Sequence, residues 1–245
     1  VRCVLGRYER RAYHDSDVVL VNYDSVRRLF DEKWGPRAVR KIPYTSDSAF
    51  SPEVPGGVPP AIEALEPREA PLIVSVSRHD PRKGVDRLLH ALADLKKAGV
   101  PFRAALVSGG PLLEKHRRLA FRLGLGSESV MTGWVPSPQP YLRQASIFVL
   151  PSLQEGSGSL SLLEALSEGL PAVVSCVDGI PEDVRHGESA LFAEPGDSGG
   201  LAKALRRLLG DAHLREKLSG GARRAFEGRF SAEGFTRALA EVYGS

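Results

Sequence analysis

From Pro71 onward, short apolar runs alternate with amphipathic helical patterns, and this alternation leaves few folds open. "LIVSVS", "FRAALVS", "VMTGWV", "IFVLP", "PAVVSC" and "ALFAE" are apolar and too short for helices, so each is expected to be a strand. Between them lie helical patterns such as "GVDRLLHALADLKKAG", with Val85, Leu88, Leu89, Leu92 and Leu95 on one face. "PLLEKHRRLAFRLG" and "PQPYLRQA" follow in the same way, and three helical segments finish the chain after Asp197. Strand–helix alternation means a parallel sheet with helices on both faces, a Rossmann-like α/β fold. In such sheets ligands bind beyond the carboxyl ends of the strands. That rule singles out the loops after Ser77, Ser108, Val135 and Leu150.

Upstream the pattern differs. "VVLVN" is expected to be a short buried strand and "DSVRRLF" a helix capped by Asp24 or Ser25. "KIPYTSDSAF" is expected to be extended. Residues 51–70, rich in proline and glycine, have the composition of a linker. The expected division is a remnant of a preceding domain (1–50), a linker (51–70), a ligand-binding domain (71–230) and a C-terminal helix (231–245). The chain starts at Val1 without methionine, so it is expected to be part of a longer protein.

A formal charge of +3 over 245 residues gives no basic stripe, and no nucleic-acid partner is expected. No apolar run is long enough to span a bilayer, so no transmembrane segment is expected. The two cysteines, Cys3 and Cys176, are distant and lack ligand spacing, which fits a reducing compartment and no structural zinc. A cytoplasmic protein is expected, with peripheral membrane association as the variant to weigh. "VRCVLGRYERR" holds four arginines, but such patches are usually solvated, and no membrane binding is inferred from them.

Three loops carry candidate chemistry. In "SRHDPRKG", Arg78 leaves the strand and Lys83 precedes a helix beginning near Gly84. Two cations at a strand end can hold a diphosphate with help from a helix N-terminus. A basic surface turn is the competing reading. In "LVSGGP", Gly109 and Gly110 permit close approach to the backbone, or simply make a tight turn. There is no G-x-G-x-x-G at the first strand, so the dinucleotide fingerprint is absent.

The third loop is "PSLQEGSGSLSLLEALSEGLP". Glu155 lies at a strand end, Gly156 and Gly158 follow, and a helix is expected from about Ser159. Its N-terminus suits an anion. Glu164, one turn past Leu160, leans back toward the helix mouth. A carboxylate there repels phosphate but suits vicinal hydroxyls. Hydroxyls, two phosphates and hydroxyls follow one another in a sugar–diphosphate–nucleoside. The alternative is a capping box running from Ser161 to Glu164.

This stretch resembles the signature of the family-4 glycosyltransferases, retaining enzymes of GT-B fold. "SVSRHDPRKGVDRLL" is similar to their phosphate-binding segment and "MTGWVP" to their base-binding loop. "VDGIPEDVRHGESALFAEPGD" is similar to the segment after the signature. The likeness covers about residues 71–230, which implies the C-terminal half of a GT-B fold. It implies Arg78 and Lys83 on the diphosphate and Glu155 on the donor sugar. It places the amides of Gly158, Ser159 and Leu160 near sugar and phosphates, Glu164 on the ribose, and Gly109 with the Gly133–Val135 loop around the nucleotide. Eight residues separate Glu155 from Glu164 where the family has seven.

The implied substrate is a UDP- or GDP-linked sugar. The implied acceptor is a glycan or glycolipid held by the missing N-terminal domain, and no cofactor or metal is expected. A nucleotide-sugar epimerase of the same architecture and a non-catalytic nucleotide-sugar-binding module are the other readings. "DSD" at Asp15–Asp17 is expected to be a surface turn, and His79 an exposed loop residue. "EPGDSGGLAKAL" is expected to be a loop and helix cap.

Overall fold

The computed structural model describes residues 2–36, 38–46, 57–156 and 158–244, with backbone alone for residues 2–7. A small N-terminal unit comes first. Helix α1 (Arg2–Asp15) leads into β1 (Val19–Val21), α2 (Asp24–Trp34) and β2 (Val39–Lys41), and β1 and β2 pair in parallel. Tyr13, Val21 and Val39 form its small core, with Phe30 and Trp34 packed against them. Of the expected surface turn at Asp15–Asp17, Asp15 instead ends α1, paired with Arg11 one turn back, and Asp17 is exposed just past the helix. Neither Asp24 nor Ser25 caps α2; the N-cap is Tyr23, which makes no side-chain cap bond.

The expected extended stretch continues from β2 to Ser46, while residues 47–56, including the start of the expected linker, lie outside the described residues. The second half of that linker is not a free connection. Pro60–Glu63 forms α3, with Pro60 at the helix start, where its missing N–H costs nothing. Ile62 and Leu65 are buried in the main core.

The main body runs through β3 (Leu72–Val76), α4 (Val85–Lys97), β4 (Arg103–Val107), α5 (Leu113–Arg122) and β5 (Ser129–Gly133). It continues through α6 (Gln139–Gln144), β6 (Ile147–Leu150), α7 (Leu160–Ser167), β7 (Ala172–Ser175), α8 (Ile180–Asp183) and β8 (Ala190–Ala193). Helices α9 (Ser198–Gly210), α10 (Ala212–Arg229) and α11 (Ala232–Tyr243) close the chain. Asp197, Asp211 and Ser231 cap these last three helices with their side chains.

The six strands are parallel in the order β5-β4-β3-β6-β7-β8. Successive residues of β3 face opposite sides, as a pleated strand demands. Ile73 packs into one core with α4 and α9, while Leu72 and Val74 pack into the other with α7. All five expected contact residues of α4 are at most 2% exposed. Burying them contributes on the order of 10 kcal/mol, an upper bound relative to an extended chain. The strand order reverses between β3 and β6, and a crevice opens at such a switch point. Two of the candidate loops, those after Ser77 and Leu150, leave these two strands.

Candidate functional site

After β3 the chain bends through Arg78 into a 3-10 turn, Pro81–Lys83. Asp80 caps this turn by accepting from the Arg82 amide at 2.9 Å. Gly84 then takes a left-handed φ of +60° and admits α4. A Cβ on Gly84 would stand 2.0 Å from the Pro151 carbonyl oxygen after β6. The Leu153 and Gln154 amides donate to the Arg82 carbonyl at 2.6 and 3.2 Å. The two candidate loops are therefore stitched backbone to backbone.

This stitching brings Lys83 and Glu155 together. Lys83 Nζ donates to both carboxylate oxygens of Glu155 at 2.8 Å. The Glu155 side chain is 1% exposed and Lys83 22%. Ser152 Oγ also donates to Glu155. Arg78 is exposed, and its guanidinium makes no ion pair with any described residue. One cation of the expected pair is thus open to solvent, and the other faces a buried carboxylate.

Ser159 is the N-cap of α7, its Oγ accepting from the Leu162 amide at 3.4 Å. The helix begins at Leu160, so Ser161 to Glu164 is not a capping box. Glu164 is half-buried in the second turn of α7 and is held by a contact of its own. Leu160 is exposed at the helix mouth. Gly158 has φ +125° and lies against the Tyr44 ring, where a Cβ would come within 2.7 Å of Cζ. The Ser159 amide, expected to face phosphate, donates to the Tyr44 hydroxyl at 3.2 Å. The Glu155 and Gly156 amides donate to Asp178 Oδ2 at 2.6 and 2.8 Å. Asp178, in the segment after the signature, and Tyr44, in the extended stretch after β2, shape the glycine loop, and neither is among the candidate site residues of the sequence.

On the other side of β3, the Gly109 and Val135 loops sit side by side. Ser108 N donates to the Gly133 carbonyl at 3.2 Å. Gly133 has φ +74°, and a Cβ on Gly109 would meet the Trp134 amide at 3.4 Å. Val135 is half-buried against the core, and Trp134 is exposed.

His79 departs from expectation, since it is 1% exposed. Its backbone N–H donates to the Gly109 carbonyl and its carbonyl accepts from the Leu112 amide, both at 2.9 Å. Its Nδ1 lies 3.0 Å from Nδ1 of buried His116. The side chain is buried because these two loops close over it, a contact 37 residues apart in sequence. Burial, then His116 and Arg117, push its pKa down from 6.5 to about 4. The unfolded chain therefore binds a proton that the folded chain refuses. The stabilisation is complete above pH 6.5 and is lost as pH falls toward 4. Denaturant melts are expected to show a loss of about 3 kcal/mol over that window. A flat profile between pH 7 and pH 5 contradicts this.

Among the described residues, no group of three His, Cys, Asp or Glu side chains is placed to hold a metal ion. No described helix is long and apolar enough to cross a membrane.

Comparison with known proteins agrees with this geometry. The profile of the family "Glycosyl transferases group 1" matches residues 70–211. The chain is 30% identical over 216 residues to a GDP-mannose-dependent alpha-(1-6)-phosphatidylinositol monomannoside mannosyltransferase of Mycolicibacterium smegmatis, covering 82% of this chain and 55% of that protein. It is 31% identical over 179 residues to the lipopolysaccharide core biosynthesis glycosyltransferase LpsE of Rhizobium meliloti, covering 73% and 51%. The chain thus spans about half the length of the curated relatives it matches.

Among solved structures, a glycosyltransferase from Rickettsia africae superposes with a TM-score of 0.83 at 18% identity, over 98% of this chain and 66% of that one. Anabaena Alr3699/HepE in complex with UDP gives 0.80 at 20% identity, over 95% and 65%. These two show the fold, the C-terminal part of a GT-B architecture. The sequence profile spans more than half of the chain, and the protein belongs to the group 1 glycosyl transferases.

Proposed function

We propose that this chain is the donor-binding part of a retaining glycosyltransferase. It would pass a sugar from a nucleoside-diphosphate sugar to an acceptor hydroxyl, with no need of a metal. The observation that carries the reading is the meeting of Lys83 and Glu155 at the switch point, opposite the N-terminus of α7. Loss of the diphosphate develops negative charge on its oxygens. Fixed positive groups at that place stabilise the transition state more than the ground state. Arg78, Lys83 and the α7 N-terminus supply them. Glu155 lies within reach of Lys83, where a sugar joined to that diphosphate would sit. Glu164 takes the ribose hydroxyls and the Gly133–Val135 loop the base. The acceptor, a glycan or glycolipid, belongs to a further part of the protein. Relatives named for lipopolysaccharide core and phosphatidylinositol mannoside synthesis support that acceptor class.

Calorimetric titration with UDP and GDP, with and without magnesium, tests the reading. Micromolar binding of one nucleotide, equal in both buffers, is expected. Glu164→Ala is expected to weaken it about tenfold, the worth of one charge-assisted hydrogen bond. An unchanged affinity in that variant removes Glu164 from the ribose, and tighter binding with magnesium removes metal independence.

A further inference from the structure

Four polar side chains from distant parts of the chain meet beneath the glycine loop. Asp183, at the end of α8, is buried with a side-chain exposure of 0%. Its Oδ2 accepts from the Tyr44 hydroxyl at 2.6 Å and from the Tyr23 hydroxyl. The two hydroxyls lie 3.0 Å apart. Oδ1 has no hydrogen-bond partner among the described residues, and Arg229 stands 3.9 Å away. An ionised carboxylate buried this deeply costs free energy unless donors meet it. Burial does push its pKa up, although both tyrosines and Arg229 oppose that. Two phenol donors on one oxygen are the compensation present.

The Tyr44 oxygen does more than satisfy Asp183. While its O–H donates to the carboxylate, its oxygen offers a lone pair and accepts from the Ser159 amide. Ser159 is the residue whose side chain caps α7. The Tyr44 ring is also the surface on which Gly158 rests, at a φ that excludes a side chain. Hydroxyl and ring thus fix two successive residues at the mouth of α7.

Tyr44 comes from the segment after β2, outside the main body, and its neighbours anchor the same region. Glu182 accepts from the Asp24 and Ser25 amides at 2.9 and 3.1 Å and from Lys41 at 2.6 Å. It caps α2 from another unit of the fold. Burial raises the pKa of Glu182, but Lys41 and the two amides outweigh it and hold the carboxyl down to about 2. Asp178, four residues upstream, holds the Glu155 and Gly156 amides. One short stretch, residues 178–183, therefore grips both the N-terminal unit and the glycine loop.

We infer that Tyr44 is a positioning residue: its Asp183-anchored hydroxyl holds Ser159, the N-cap of α7, in place for the outer phosphate of the donor. The inference rests on the donor-site reading given above. It makes the seating of the N-terminal unit a condition for a well-formed phosphate site.

The test is Tyr44→Phe in the chain as described, titrated with UDP and UMP and with GDP and GMP. The preference for diphosphate over monophosphate reports the outer phosphate alone. A variant that merely loosens the fold weakens both ligands alike. The expected result is a fivefold to tenfold fall in that preference, with monophosphate affinity unchanged, the size of one lost hydrogen bond. Asp183→Asn keeps shape while weakening the anchor. It is expected to act in the same direction, and the two changes together are expected to cost no more than Tyr44→Phe alone. Thermal melts report whether each variant folds.

An unchanged preference in both variants overturns the inference. So does a larger one, which would mean that the hydroxyl competes with phosphate for the Ser159 amide. In either case, weakened binding by Lys83→Ala would leave the donor site itself standing. A parent chain that binds no nucleotide overturns the site reading and this inference together.

Discussion

Lys83→Ala is expected to lower nucleoside-diphosphate affinity by at least about a hundredfold, and also to lower the melting temperature. The first effect is the loss of an ammonium from the phosphate site, about 1.5–3 kcal/mol for each charge-assisted bond. The second follows from what stays behind. Glu155 is 1% exposed and receives both of its short cationic hydrogen bonds from Lys83. Breaking a buried pair by removing one partner typically costs about 3–5 kcal/mol. The two effects separate in the double variant Lys83→Ala/Glu155→Gln. There the uncompensated charge is gone, so stability returns while affinity stays low. Recovery of both together means that Lys83 holds the loop and does not touch the ligand. Loss of stability with full affinity means the same.

Gly84→Ala is expected to lose about 3–5 kcal/mol of stability, a drop of about 10 °C in melting temperature. Two costs add there. A side chain is strained at φ +60°, and the added methyl would stand 2.0 Å from the Pro151 carbonyl oxygen. That oxygen is backbone and cannot rotate away, so the loops after β3 and β6 must part. Parting them separates Lys83 from Glu155, and nucleotide affinity is expected to fall with stability. Gly99→Ala is the control. Its φ of +68° carries the same strain, but nothing lies within 4 Å of its Cβ position, so about 1 kcal/mol is expected. Equal losses at the two glycines, in a thermal scan, leave the clash without effect.

The sheet was legible because each strand is an apolar run with helical spacing on either side. The buried face of α4 was legible because Val85, Leu88, Leu89, Leu92 and Leu95 repeat with the helix period. The nearness of Lys83 and Glu155 followed from topology, since both lie at strand ends flanking the switch point. What escaped depends on contacts that no local pattern announces. Helix α1 is charged along much of its length and offers no apolar stripe. Ile62 and Leu65 lie in proline-rich sequence, and their burial comes from packing on the main core rather than from composition. His79 lies in a loop as expected but is buried, because its partner His116 comes from α5, 37 residues away. Asp178 and Tyr44 hold the glycine loop from 22 and 115 residues away. One local sign existed: Asp178 precedes a glycine and has φ +47°, a conformation that Asp tolerates better than most residues.

The order in which the strands lie has a consequence for synthesis of the chain. As the polypeptide emerges, β3, β4 and β5 appear first and can pair with one another. One edge of β3 then stays open until β6 arrives, and the Leu72 amide finds its partner in Ser146, 74 residues later. An open, apolar parallel edge is a template for pairing with another chain. A ribosome that stalls between β5 and β6 therefore leaves a half-sheet exposed along the line where the switch-point crevice is later built. β6, the strand that removes this hazard, also delivers the loop that carries Glu155, so the second wall of the crevice and protection of this edge arrive together.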